Sequence, residues 1–160
     1  MRTAFLALAG AVFAAAPAWA LTAVPAGAGE GGTPVPAVQY YRPDTTKVPY
    51  SQVVRVDNIL YVSGQLGVNP DGKPLDGMAA QAKAALDHVA EALGRVGSGM
   101  DAVFKCTVML TDMGQWAAFN QVYVGYFKPD RLPARSAMAV SGLPLGSSVE
   151  VECWAYAPTK

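Results

Sequence analysis

Two runs in this chain alternate so regularly that each one fixes a strand and both of its faces. In Ala102 to Leu110 the residues Phe104, Cys106, Val108 and Leu110 fall on one side, and Val103, Lys105, Thr107 and Met109 on the other. In Val149 to Tyr156 the set Val149, Val151, Cys153 and Ala155 opposes Glu150, Glu152, Trp154 and Tyr156. Side chains of a strand point alternately to its two faces, so the apolar set of each run predicts a face that receives helices. The opposing sets combine acids, a lysine and aromatics, which is not the composition of a helix-packed core. In a domain of this size that face is expected to be buried against another subunit.

The remaining segments supply the partners of these strands. Ser51 to Val56 and Ile59 to Ser63 are β-branched runs joined by Asp57-Asn58, a pair suited to a tight hairpin turn. Asn69-Pro70-Asp71-Gly72 is a second turn signal. From Leu75 the residues Met78, Ala82, Ala85, Leu86, Val89, Leu93 and Val96 recur at helical spacing until Gly97-Ser98-Gly99 ends the helix. Trp116, Phe119, Asn120, Tyr123, Tyr126 and Phe127 predict a second helix, ended at Lys128-Pro129, whose aromatic stripe is expected to be core. The order strand, strand, helix, strand, helix, strand, strand predicts an α+β domain with both helices on one face of a sheet.

Leu132 to Val140 (LPARSAMAV) places Arg135 at the start of what reads as a buried strand, where a bare guanidinium is costly. Two readings follow. Arg135 is either a bidentate anchor for a small carboxylic acid or one half of a structural salt bridge to a nearby Glu.

Arg2, the apolar run from Ala4 to Ala16 and Ala18-Trp19-Ala20 together read as a secretory signal peptide over residues 1–20. Residues 21–36, rich in Gly, Ala and Pro, read as a flexible lead-in, leaving 37–160 as a single domain. The expected location is periplasmic or secreted. Arg2 is the only charge in the leader, so its removal leaves 11 basic against 12 acidic residues and no electrostatic reason to expect nucleic acid. Cys106 and Cys153 match no CxxC or zinc spacing. They are expected to be buried thiols, with a disulfide open to them only if their strands are neighbours in register. His88 is the single histidine, which leaves metal ligation unsupported. His88 and Glu91 lie one turn apart but have no nucleophile nearby in sequence, and both are expected to face solvent.

Several ordered signatures resemble the Rid family, the reactive intermediate deaminases also called the YjgF family. They are Pro49-Tyr50-Ser51-Gln52, Val62-Ser63-Gly64-Gln65, Leu110-Thr111-Asp112-Met113, Phe119-Asn120-Gln121-Val122-Tyr123, Pro133-Ala134-Arg135-Ser136 and Val149-Glu150-Val151-Glu152. The resemblance runs from about Pro49 to Ala157. It implies a chorismate-mutase-like α+β fold, a mostly antiparallel sheet with two helices on one face, assembled as a homotrimer with a site in each cleft between subunits. It also implies hydrolysis of small 2-imino acids, or their 2-amino-acrylate enamine tautomers, to 2-keto acids and ammonia without metal or organic cofactor. By the resemblance Arg135 holds the substrate carboxylate, Glu150 handles water or protons, and Tyr50, Ser63, Gly64 and Asn120 line or support the pocket. Arg135 and Glu150 come from separate strands and could present to one cleft.

The chain departs from the family pattern at Ala137, where many members carry Cys or Thr, and in its leader. A second reading of the same cleft is a non-catalytic binding module for small carboxylates such as keto acids. A ribonuclease reading also exists within the family, and the neutral charge and expected export argue against it.

Overall fold

The computed structural model describes residues 37–43 and 48–157; the leader and lead-in expected over 1–36 lie outside the described residues. Eight regular elements follow in order: β1 (Val38–Tyr41), β2 (Val53–Val56), β3 (Ile59–Leu66), α1 (Met78–Arg95), β4 (Val103–Leu110), α2 (Trp116–Tyr123), β5 (Ala134–Ala139) and β6 (Val149–Tyr156). The strands form one sheet in the order β1-β2-β3-β6-β4-β5, antiparallel throughout except for the parallel β4–β5 pair. This is the expected α+β architecture with one strand more, because β1 at the domain's start carries no alternating signal and three of its four residues are exposed. The β2–β3 turn is Asp57-Asn58 as read, with Asp57 at φ 51°.

Helix α1 buries Ala82, Ala85, Leu86, Val89, Ala92 and Leu93 against the sheet. Facing them are Val53, Leu60, Val62, Val108, Leu110, Val149, Val151 and Ala155, with Phe119 and Tyr123 of α2 completing the core. The parity of β6 holds along its whole length: residues 149, 151, 153 and 155 are fully buried. The parity of β4 breaks once. A register shift lies between Val103 and Lys105, so Val103 takes the buried place expected of Phe104. Phe104 turns to the other face, with its ring 5.0 Å from that of Tyr156. A bulge of this kind adds one residue to one strand and is invisible to a strict period of two.

Cys106 and Cys153 stand directly opposite each other in the β4–β6 register and are joined by a disulfide. This corrects the expectation of two free thiols. The bond closes a span of 47 residues between two neighbouring interior strands and is fully buried. Reducing it is expected to lower unfolding stability by about 2–4 kcal/mol. Urea titrations with and without reductant check this, and an unchanged midpoint in fully reduced protein would contradict it.

Candidate functional site

Arg135 does not sit in a buried strand. β5 is an edge strand, and all of its residues except Arg135 are exposed. Arg135 pairs with Cys106 in register, which sends its side chain to the helix side of the sheet. There the guanidinium lies 4.4 Å from the Tyr123 ring centroid and 4.5 Å from that of Trp116. Residues 116, 120 and 123 share one face of α2 by their spacing, so two rings and Asn120 form a platform on which the guanidinium plane is fixed.

Among the described residues no carboxylate lies within ion-pair distance of Arg135. The structural salt bridge considered from sequence is therefore not formed within the described chain. Three buried side-chain atoms lack a hydrogen-bond partner among the described residues, and all belong to this patch: Asn120 Oδ1, Tyr123 Oη and Arg135 Nη1. Buried polar groups are nearly always paired, so a cluster of unpaired ones marks a place where something else docks. Burial raises the Tyr123 hydroxyl above its ordinary pKa, and the Arg135 charge opposes that rise. Ala137, two residues along on the same side of β5, adds only a methyl group next to this patch.

Glu150 belongs to the opposite face of the sheet. It pairs with Met109 and Leu66, one residue out of phase with buried Val149 and Val151. The bulge in β3 between Val62 and Gln65 brings Gly64 under its carboxylate. A Cβ on Gly64 would overlap Glu150 Oε1 and stand 2.7 Å from Cδ, so only glycine leaves that carboxylate its seat. Burial pushes the Glu150 carboxyl above its ordinary pKa, and the nearby Glu152 carboxylate adds to the rise. The carboxylate opens onto a cleft of about 370 Å³ lined by Tyr50, Ser63, Leu66, Pro144 and Leu145. Ser63 is held by donating its hydroxyl to the Ser51 carbonyl at 2.7 Å.

Gly64→Ala is expected to swing the Glu150 side chain out of place with little effect on folding, since the displaced group is the free end of a flexible side chain. A loss of kcat with near-wild-type thermal stability would fit; full kcat would show that the carboxylate position is immaterial.

The site residues read from sequence thus separate into two groups. Arg135 and Asn120 stand on the helix side at the β5 edge; Tyr50, Ser63, Gly64 and Glu150 stand on the other side of the sheet. Arg135 and Glu150 do not meet within a single subunit, because one residue of strand parity puts them on opposite faces; the cleft expected for them lies between subunits. Sequence reasoning also missed Trp116 and Tyr123 as the bed of the guanidinium. Their spacing around Asn120 was visible, but an aromatic stripe reads first as core. His88 does not face solvent as expected: it is half-buried, with Nδ1 3.1 Å from the Leu66 carbonyl. Glu91 pairs with Arg95 on the exposed side of α1.

Related sequences and solved structures of similar fold match this chain. A protein of Mus musculus named 2-iminobutanoate/2-iminopropanoate deaminase is 43% identical over 106 residues, covering 65% of this chain and 78% of that protein. The Homo sapiens protein of that name is 42% identical, over 65% of this chain and 77% of its own length. Among solved structures, RidA from the Antarctic bacterium Psychrobacter sp. is 34% identical with a TM-score of 0.65, covering 74% of this chain and 97% of that one. A Rid-family protein of Yersinia pestis is 33% identical with a TM-score of 0.69, over 75% of this chain and 99% of that one. Residues 42–157 match the family described as Endoribonuclease L-PSP. The fold, these relatives and that match together place the chain in the endoribonuclease L-PSP family, the family of the YjgF and RidA proteins.

Proposed function

We propose that this protein is a hydrolytic deaminase of small 2-imino acids and their enamine tautomers, working as a homotrimer in which Arg135 of one subunit faces Glu150 of the next. The observation that carries the reading is the buried, unpartnered Nη1 of Arg135. A desolvated guanidinium fork clamped between two rings is suited to one ligand chemistry above others, a planar carboxylate taken in bidentate fashion. The names of the mammalian relatives support the reaction class.

In this reading Arg135 holds the substrate carboxylate and aims the C=N carbon at the neighbouring subunit's cleft. Glu150, in its carboxylate form, takes a proton from water as the water oxygen bonds to that carbon, and passes that proton to the imine nitrogen to give a neutral carbinolamine. In the collapse the hydroxyl proton is carried by Glu150 to the nitrogen as the C–N bond breaks, so ammonia leaves, a 2-keto acid remains and the carboxylate is regenerated. Imino acid and water go in; keto acid and ammonia come out, with no redox change. A carboxylate whose pKa is raised by burial is a stronger base at neutral pH than an exposed one. The aromatic and acidic sheet face, with Tyr61 against Trp154 and Phe104 against Tyr156, is the surface we assign to the trimer contact. We further propose export, supported by the leader-like run over residues 1–20 and by the Cys106–Cys153 bond, since disulfides persist in oxidising compartments.

The test is the decay of imino acids generated in place by an amino-acid oxidase, with semicarbazide as a competing trap. Faster loss of imine in the presence of the protein is expected. No acceleration across a panel of amino acids, from a folded oligomer, would overturn the deaminase reading and leave carboxylate binding without turnover.

A further inference from the structure

The Glu150 cleft does not end at its own walls. A second cleft of about 200 Å³ shares Tyr50, Gly64, Leu66 and Leu145 with it and continues to His88. Leu145 stands where the two meet. Its backbone lies at φ 58°, ψ 11°, a left-handed conformation unfavourable for leucine, and the residue is 61% exposed. A strained, exposed leucine has to be held in place, and here it is. On one side the buried Ser147 hydroxyl accepts from the Gly67 amide at 3.1 Å and donates to the Val149 carbonyl at 2.8 Å. On the other, the end of the Leu145 side chain lies against Gly72 of the Asn69–Gly72 turn.

Leu66 and Pro144 extend the apolar surface next to Leu145, and among the described residues Glu150 is the only charged one lining its cleft. At the far end the His88 ring is oriented by its contact with the Leu66 carbonyl. The space therefore runs from the Glu150 carboxylate, past the apolar side chains of Leu66, Pro144 and Leu145, to His88, with Gln52 and Gln65 also lining its far part.

We propose that this passage is the side-chain subsite of the enzyme, that it selects 2-imino acids bearing long, unbranched apolar side chains, and that Leu145 is the residue that sets this preference. The proposal rests on the deaminase reading of the same cleft and adds the substrate class to it. A buried methylene is worth about four-fold in binding, so a butyl side chain exploits the wall where a methyl cannot reach it.

The experiment compares kcat/KM for 2-iminohexanoate and 2-iminopropanoate, generated in place from norleucine and alanine, in wild type, Leu145→Asn and Leu145→Gly. Asn and Gly both accept a left-handed backbone, so neither replacement has a conformational reason to misfold. The expected result is a wild-type preference for the longer imine that falls at least ten-fold in both variants. Equal use of the two imines by wild type, or a proportional loss on both in the variants, would overturn the proposal. If wild type turns over neither imine, the deaminase reading has failed separately, and calorimetry with 2-oxohexanoate and pyruvate then decides the subsite. Tighter binding of the longer acid, lost in the variants, supports it; equal affinity or no binding of either overturns it.

Discussion

Replacing Arg135 by Ala is expected to lower kcat/KM on 2-imino acids roughly 30- to 5,000-fold, the equivalent of the ~2–5 kcal/mol lost when one member of a desolvated charge pair is removed. The folded state should hardly notice. Arg135 makes no ion pair among the described residues, and its Nη1 is unsatisfied, so the variant loses stacking on Trp116 and Tyr123 but no buried salt bridge. Arg135→Lys separates charge from geometry: an ammonium keeps the positive charge but has neither the planar fork nor the flat face that sits between two rings. It should therefore fall much closer to Ala than to wild type. Steady-state kinetics beside thermal unfolding checks both, and an Ala variant within three-fold of wild type would remove the carboxylate anchor from the account.

Glu150→Gln is expected to lower kcat by about 100- to 10,000-fold, the range that a positioned proton-transfer group supplies, with a smaller effect on KM. Its effect on stability should have the opposite sign. The folded-state pKa of Glu150 is raised above the ordinary carboxylate value, first by burial and then by Glu152. A raised pKa means that the charged form is disfavoured in the folded protein. At neutral pH the carboxylate thus subtracts from stability, and the loss is recovered as pH falls through the raised pKa. The Gln variant should accordingly be at least as stable as wild type at pH 7, with the difference fading in acid. The acid limb of the wild-type rate profile should report the protonation of Glu150. Glu152→Gln should move that limb toward lower pH by removing the like charge. A Glu150→Gln variant that is both active and less stable would contradict the assignment on both counts.

The architecture was legible wherever one period of the sequence controls one face. The strict alternation of Val149 to Tyr156 gave β6 and its buried side, and the spacing from Met78 to Leu93 gave α1. Legibility stopped where the backbone inserts a residue. The bulge at Val103 to Lys105 exchanges the faces of Val103 and Phe104, and the one at Val62 to Gln65 seats Glu150 on Gly64; neither leaves a mark in a hydrophobicity pattern. Edge position is equally hidden, so Arg135 read as part of a buried strand although β5 is exposed. The Cys106–Cys153 bond depends on a cross-strand register that two cysteines alone do not specify. Tyr50, Ser63, Gly64, Asn120, Arg135 and Glu150 all stood in short motifs, whereas Trp116, Leu66, Pro144 and Leu145 did not. The division of the motif residues between the two faces was not legible, because it follows from parity across β5, β4 and β6 taken together.

That division gives the account its sharpest consequence. If a site needs Arg135 from one subunit and Glu150 from another, two inactive variants can restore each other. Arg135→Ala and Glu150→Gln, unfolded together in equal amounts and refolded, should form mixed trimers in which an intact Arg135 meets an intact Glu150. Random assembly of a cyclic trimer would return about a quarter of the wild-type activity from two preparations that are each inactive alone. Mixed oligomers that form, as shown by mass, and yet recover no activity would contradict a site shared between subunits.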